Sequence, residues 1–549
     1  MSEVSKPAKL SVTLALVVLS SLSLAGCTTS LPVAKPTASV SKPTTSSLYG
    51  GTLTIRLPSY AAVISPVSTD PSAQLVSRLL FSGLTRLNAH LLPVPDLAES
   101  WEISPDETTW TFSLRKDLKW HDGVPLTSDD VVFTYQTLMR LEPTSAAEFD
   151  IQQNVSRVEK VDASTVKIVL RRRFAPLAAD TSVPILPEHL ARNIPDAQLR
   201  KTSITVGTGP FKLQEQRDGQ AIVLEANPNY HHGRPYIDKV AFLVAGSDEA
   251  TTKALKDGQL MLAQMDGSDI GDLTNDSRID LNDFSEQGFF FVGFNLRKGR
   301  IFEDRNLRLA WTYGIDKEAL VKTVTKGQGI PLWSDVPPVS WAYDPTVPKT
   351  NRDVAKAKQL LGDSGWKDAD GDGILEKAGK KLSVELLVRD DAADRIQAAQ
   401  VMSQQLRGIG MDVKVVQADF SSVLAAKRKP PFDFDAILMG WTLGGDPDDY
   451  SLFHSSQIPT EDKPNRLNFV GFKNEDFDQL TSEARKTLDV KKRKDLYRGT
   501  QRLLAQEVPY HFLWANKITI ARSKRLQGPI ELTSPAYLWN VEKWYISRP

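Results

Sequence analysis

One cysteine, Cys27, occurs in 549 residues. A lone thiol excludes an intrachain disulfide framework and every zinc site built on paired thiolates. Charge of one sign is also missing: Lys+Arg and Asp+Glu both number 67. With no basic excess to release counterions from phosphates, nucleic acid is not an expected partner. No apolar run reaches the roughly 20 residues of a membrane-spanning helix. There is no P-loop, no G-x-G-x-x-G, no H-E-x-x-H and no G-x-S-x-G elbow, so no local pattern marks nucleotide, zinc-hydrolase or serine-hydrolase chemistry. No catalytic residue and no cofactor are expected, and internal repeats are absent.

What is there begins at the amino terminus. Lys6 and Lys9 precede LSVTLALVVLSSLSL, residues 10–24, which is apolar but interrupted by Ser and Thr. A basic segment followed by a short apolar one is the pattern of a secretory signal. It ends in Leu24-Ala25-Gly26-Cys27. This tetrapeptide resembles the lipobox of bacterial lipoproteins. In that family the cysteine thiol is acylated, the chain is cut before it, and two or more acyl chains give stable membrane anchoring. The resemblance implies a signal peptide over 1–26, lipidation (palmitate or a similar chain) at Cys27, and an envelope location outside the cytoplasmic membrane. Residues 28–47, TTSLPVAKPTASVSKPTTSS, are Ser/Thr/Pro-rich without apolar periodicity. Such a stretch cannot bury enough surface to fold and is expected to act as a tether over 27–49.

Residues 50–549 are too many for a single core and imply two or three domains. Gly51 to Leu57 alternates like a half-buried strand, and Pro71 opens a helical stretch at a first-turn position. Trp110 to Leu114 alternates again. Thr127, with Asp130 three residues on, is a capping-box start for the helix that follows. Further along, Leu382, Val384 and Leu386 alternate with polar residues. A helix is expected from Ala392 to Leu406, stopped by Gly408 and Gly410, and Val413 and Val415 begin the next strand. Strand, helix and strand in that order form a βαβ unit, so the fold class is α/β.

Two clusters suggest metal ions. His231 and His232 are adjacent, and on an extended segment their side chains would point to opposite faces, so a shared ion is not expected there. Asp368, Asp370 and Asp372, with Gly373 in the sixth place, match the start of a calcium loop. Glu376 holds the ninth place, but the twelfth, where a bidentate Glu belongs, is Gly379. An acidic turn is the simpler reading, and no metal is expected.

Four stretches resemble one family. They are DLAESWEISPDETTWTFSLRKDLKWHDGVPLTSDDVVFTY at 96–135, GTGPFKLQEQRDGQAIVLEANPNYHHGRPYIDKV at 207–240, GFNLRKGRIFEDRNLRLAWTYGIDKEALV at 293–321 and GWTLGGDPDDYSLFHSSQ at 440–457. They are similar to the large extracellular solute-binding proteins of peptide and nickel ABC importers. That resemblance implies an α/β periplasmic-binding-protein-like type II fold, with two hinged lobes and an extra domain, the three-domain cluster C arrangement. It implies lobe I over 50–88 and 207–295, the extra domain over 89–206, lobe II over 296–515, and a return to lobe I over 516–549. Hinge strands are expected near Phe294-Asn295 and Phe512-Leu513. The protein would be a monomer and no enzyme, closing on a small solute and presenting it to an ABC permease and ATPase complex.

The ligand class is less direct. Peptide-binding members of the family hold the ligand's α-ammonium on an Asp three residues after the Trp of a G-W motif. Here Trp441 matches that Trp, and the third residue on is Gly444. Asp446 or Asp448 could take over the clamp, or could build the turn itself. Trp441 is a candidate for stacking on the ligand. Arg389 lies close to where dipeptide binders keep a carboxylate-binding Arg, whose fork suits the task. Peptides lead, and oligosaccharides or nickel chelates are the alternatives within the family. An envelope hydrolase, or an adhesion or signalling protein, is the alternative outside it.

Overall fold

The computed structural model describes residues 48–265, 270–533 and 537–548. Cys27 and its tether lie outside the described residues. Among the described residues no helix is long and apolar enough to cross a membrane.

Local rules act where the sequence places them. The strand Thr52–Leu57 forms, and the helix Pro71–Leu80 starts on proline, with the Asp70 side chain accepting a hydrogen bond from the Ala73 N–H at 2.7 Å. The helix Ser128–Leu138 carries the full capping box: the Thr127 side chain caps its first turn, and the Thr127 N–H donates back to Asp130 at 2.9 Å. Strand Ser383–Arg389, helix Ala393–Arg407 and strand Asp412–Ala418 form the expected βαβ unit, the two strands pairing in parallel.

A twelve-stranded mixed sheet organises most of the chain. Its axis is the fourteen-residue strand Tyr510–Ser523, which serves two neighbourhoods. Its first part, Tyr510 to Trp514, pairs antiparallel with Gly288–Phe294. From Lys517 to Ser523 it pairs antiparallel with Ile279–Ser285, and Leu262–Met265 flanks it there. Beyond Gly288–Phe294 lie Ala436–Thr442, Ser383–Arg389 and Asp412–Ala418; beyond Leu262–Met265 lie Thr52–Leu57, Lys239–Val244, Ala221–Ala226 and Phe211–Arg217. The chain therefore crosses from one half of the sheet to the other at 285–288 and again at 514–517. Phe294 and Phe512 sit inside the second half: Phe294 pairs with Ala436, and Phe512 with Phe291. The first crossing thus ends six residues before the expected Phe294-Asn295, and the second begins directly after the expected Phe512-Leu513.

A separate four-stranded antiparallel sheet, Ala98–Ile103, Thr109–Leu114, Thr165–Leu170 and Val155–Lys160, lies within 89–206. The GTGPF stretch explains itself at its edge. Gly207 and Gly209 run so close to the end of Pro71–Leu80 that a Cβ on Gly207 would stand 1.8 Å from the Leu80 carbonyl oxygen, while the Gly209 N–H donates to that oxygen at 2.8 Å. No residue larger than glycine allows that approach.

Two main cores follow the halves. One joins Leu53, Trp110, Phe242 and Trp544, so the carboxyl-terminal segment packs back on the amino-terminal half. The other centres on Val292, Phe294, Trp311 and Trp514. Full burial of a side chain such as Trp544 contributes about 1.5–3 kcal/mol, and its indole N–H is met by Asn540 at 2.8 Å.

Candidate functional site

The crossing point of the sheet holds a cavity of about 210 Å³. Glu286 and Asn516 belong to the two crossing segments and are bound to each other: the Glu286 N–H donates to the Asn516 carbonyl at 2.8 Å, and Asn516 Nδ2 donates to Glu286 Oε2 at 2.9 Å. Trp441, Phe290, Phe420, Arg389 and Arg395 complete the wall.

Trp441 is placed by its strand. In Ala436–Thr442 the first four residues are buried and Gly440 and Trp441 are half-buried. Its ring stacks on Phe291, centroids 6.3 Å apart and 15° from parallel, and its indole N–H lies 3.4 Å from the Tyr510 hydroxyl. The aromatic cluster behind it fixes the ring while an edge faces the cavity. Arg389 also reaches the cavity, over the Phe420 ring at 4.7 Å, but its fork is engaged by Asp391 at 2.7 and 2.6 Å. Arg395, which sequence reasoning did not single out, lies over Phe290 at 5.1 Å. Its Nε is buried without a hydrogen-bond partner among the described residues. Its one ion pair among the described residues is with Asp394, 3.5 Å from Nε, and the guanidinium lines the cavity beside Arg389.

Asp446 and Asp448 are elsewhere. The loop after Trp441 leaves the cavity, with Gly445 so close to Leu87 that a Cβ would meet that side chain at 2.3 Å. Asp446 accepts both terminal nitrogens of Arg493, at 2.8 and 2.7 Å. Asp448 accepts from Arg485 Nε at 2.6 Å and, as a turn residue, from the Tyr450 N–H at 3.2 Å. Arg485 continues to Asp150 at 3.2 Å. All five side chains are nearly or fully buried. The structure thus brings Trp441 and Arg389 together and separates both aspartates from them.

The buried acids make this junction sensitive to pH. Burial pushes the Asp150 carboxyl up to about 7, with Asp448 and Asp446 adding to the rise and Arg485 opposing it. Asp449 is also pushed up to about 7, again chiefly by burial. A folded-state pKa above the unfolded value, about 4, means that the folded state holds extra protons. That stability is complete below pH 4 and is lost as the pH rises towards 7. The melting temperature is expected to fall between pH 5 and pH 8, and Asp150→Asn should flatten the fall. An unchanged pH profile in Asp150→Asn would remove Asp150 as its source.

The two metal-like clusters differ. Asp368, Asp370 and Asp372 are exposed, and the Lys381 ammonium sits among them, 3.1 Å from Asp370 and closer still to Asp372. Asp368 accepts the N–H groups of Gly371 and Gly373. One lysine thus offsets part of the charge of three carboxylates in this turn. His231 and His232, by contrast, both lie against buried Asp96, because they sit in a turn, as the setting NPNYHHGRP suggests, and not on an extended segment that would part them.

A second cavity, about 350 Å³, is lined from the amino-terminal half and the carboxyl terminus, with Arg78, Arg86, Phe81, Tyr230, Trp539 and Glu542 in its wall.

Comparison with known proteins gives a consistent picture. The model of the bacterial extracellular solute-binding proteins, family 5, matches residues 93–462. The oligopeptide-binding protein AppA of Bacillus subtilis is 33% identical over 490 residues, covering 88% of this chain and 89% of AppA. The dipeptide-binding protein of Escherichia coli is 28% identical over 444 residues, covering 76% of this chain and 79% of that protein. The solved structure of AppA in complex with a nonapeptide superposes with a TM-score of 0.70 at 32% identity, over 91% of this chain and 99% of that one. NikZ of Campylobacter jejuni in complex with Ni(L-His) gives 0.70 at 27%, over 90% and 99%.

Proposed function

The chain belongs to family 5 of the bacterial extracellular solute-binding proteins, and on that premise we propose that it is the receptor of an ABC importer that takes peptides. It binds and releases; it makes and breaks no bond. The reading is supported by the AppA relative, named for oligopeptides and solved with a nonapeptide.

The observation that carries it is the composition of the 210 Å³ cavity: a carboxylate, two guanidiniums and aromatic faces where the sheet crosses between halves. A peptide offers the matching groups: an ammonium, a carboxylate and apolar side chains. For the carboxylate we propose Arg395, with Arg389 beside it. For the ammonium we propose Glu286, the carboxylate that lines the cavity and also accepts from Asn516 Nδ2; Asp446 and Asp448 do not line it. Trp441 would flank the ligand. The charged lining favours peptides over oligosaccharides, which would use the aromatic faces alone.

Mechanism follows from where these groups sit. With lobe II running from Gly288 to Trp514, and lobe I and the extra domain before it with 517–549 returning to lobe I, Glu286 and Asn516 lie at the crossings, and Trp441, Arg389 and Arg395 lie on lobe II. A ligand touching both sides binds the closed form better, and so shifts the population towards it by its differential affinity. A permease that recognises the closed form then receives only loaded receptor.

Native mass spectrometry of the protein purified without refolding tests the ligand class. A ladder of peptide masses is expected on the chain. Sugar masses would replace the peptide reading with the oligosaccharide one. The anchor is tested separately: Cys27→Ala should move the protein from the membrane to the soluble fraction. Retention on membranes at high salt would sink the lipid reading.

A further inference from the structure

The peptide site makes no use of the His231–His232 pair. Gly233, with φ of +94°, closes a turn in which its N–H donates to the Tyr230 carbonyl at 2.8 Å. Consecutive imidazoles therefore share one side, with ring centroids 4.6 Å apart. Nε2 of His231 lies 2.7 Å, and Nε2 of His232 3.0 Å, from the same oxygen, Oδ1 of Asp96. The three side chains are 8%, 16% and 5% exposed.

We infer that Asp96 Oδ1, His231 Nε2 and His232 Nε2 form a binding site for a divalent first-row transition-metal ion. The three donor atoms lie within 4.8 Å of one another. Metal–donor bonds of about 2.0–2.2 Å place neighbouring donors of one shell about 3 Å apart, so the two Asp–His contacts are already close to a coordination spacing. Two imidazole nitrogens and one carboxylate oxygen suit zinc, nickel or cobalt, and do not suit calcium or magnesium, which take oxygen. Three protein donors leave positions for water.

Charge favours an ion here. Arg86 is the guanidinium beside this cluster, and it is bound to Glu542 at 3.3 Å and to the Trp539 carbonyl at 2.9 Å. Glu542 and Asp96 are both almost wholly buried, so one cation faces two carboxylates. Oε2 of Glu542 has no hydrogen-bond partner among the described residues. Both imidazoles lie against one oxygen of Asp96, and a buried carboxylate is costly without a cation. The cluster borders two hollows: Asp96 lines the 350 Å³ cavity and His231 another. An ion bound through Nε2 requires that nitrogen unprotonated, with the ring proton on Nδ1; any proton held on Nε2 beforehand passes to Nδ1 or to solvent. The ion would join segments 135 residues apart in a chain that has no disulfide to do so.

The test is calorimetric titration of the full chain with Zn2+ after removal of adventitious metal by a chelator. One saturable Zn2+ per chain is expected. His232→Ala and Asp96→Asn should each weaken it at least ten-fold, while Asp370→Asn with Asp372→Asn leaves it unchanged. No saturable binding, survival in both site variants, or loss in the 370/372 variant overturns the site. If the site variants fail to fold, Co2+ added to the unaltered protein decides. Intense visible absorption from a four- or five-coordinate ion with nitrogen donors supports the site, and the spectrum of hydrated Co2+ overturns it.

Discussion

Arg493→Met is expected to destabilise the protein by about 3–5 kcal/mol, the cost of leaving one partner of a buried ion pair uncompensated. Arg493 is 5% exposed and Asp446 10%. Both oxygens of Asp446 are held by this one guanidinium, which also binds the Ala484 carbonyl at 3.0 Å and the Tyr497 hydroxyl at 3.0 Å. Methionine of similar length fills the space and supplies none of these donors. Urea unfolding measures the loss as a lower midpoint at constant slope. Adding Asp446→Asn should recover part of the stability, because the orphaned charge is then gone. The pair of variants also separates two roles for Asp446. If it held a ligand ammonium, Arg493→Met would leave stability intact and change peptide affinity instead. A midpoint equal to the wild type would therefore return Asp446 to the binding site.

Peptide affinity is expected to fall roughly ten- to a hundred-fold in Arg395→Gln, about 1.5–3 kcal/mol for one charge-assisted hydrogen bond. The peptide used is one recovered from the protein itself, and titration calorimetry reads the change. Stability should hardly move. Nε of Arg395 makes no hydrogen bond among the described residues, its ion pair with Asp394 is long at 3.5 Å and partly exposed, and the side chain rests on the face of Phe290. That separation is the strength of the test: affinity lost with stability kept marks a ligand contact. Unchanged affinity would leave Arg389 as the remaining cation of the cavity, and with it the question of what displaces Asp391 from its fork.

The contrast between the two arginines shows how far the residues can be read in order. Arg389 is visible because it ends an alternating strand close to where the family resemblance implies a carboxylate-binding arginine. Arg395 lies in the first turn of the following helix, in a stretch, DDAADRIQ, that carries no signal beyond an ordinary helix start. Glu286 and Asn516 are equally silent. The four walls of the cavity, at 286, 395, 441 and 516, come from four separate segments, and only the pairing of Tyr510–Ser523 with both halves of the sheet brings them together.

The sequence by itself determined the family, the α/β class, the helix starts at Pro71 and Thr127, and the βαβ unit at 383–418. Each rests on residues within a few positions of one another: a cap and the N–H it receives, a two-residue alternation, a glycine stop, a motif of fixed spacing. Tertiary structure alone decided the fate of the polar residues. Asp446 meets an arginine 47 residues on, Arg485 reaches back 335 residues to Asp150, and His231 finds Asp96 at a distance of 135. A buried charge must be matched, but any opposite charge in the chain can match it. Which one does so is set by the packing of apolar surface, and that packing turned both expected ligand carboxylates inward and two adjacent histidines, not expected to share an ion, towards a common oxygen.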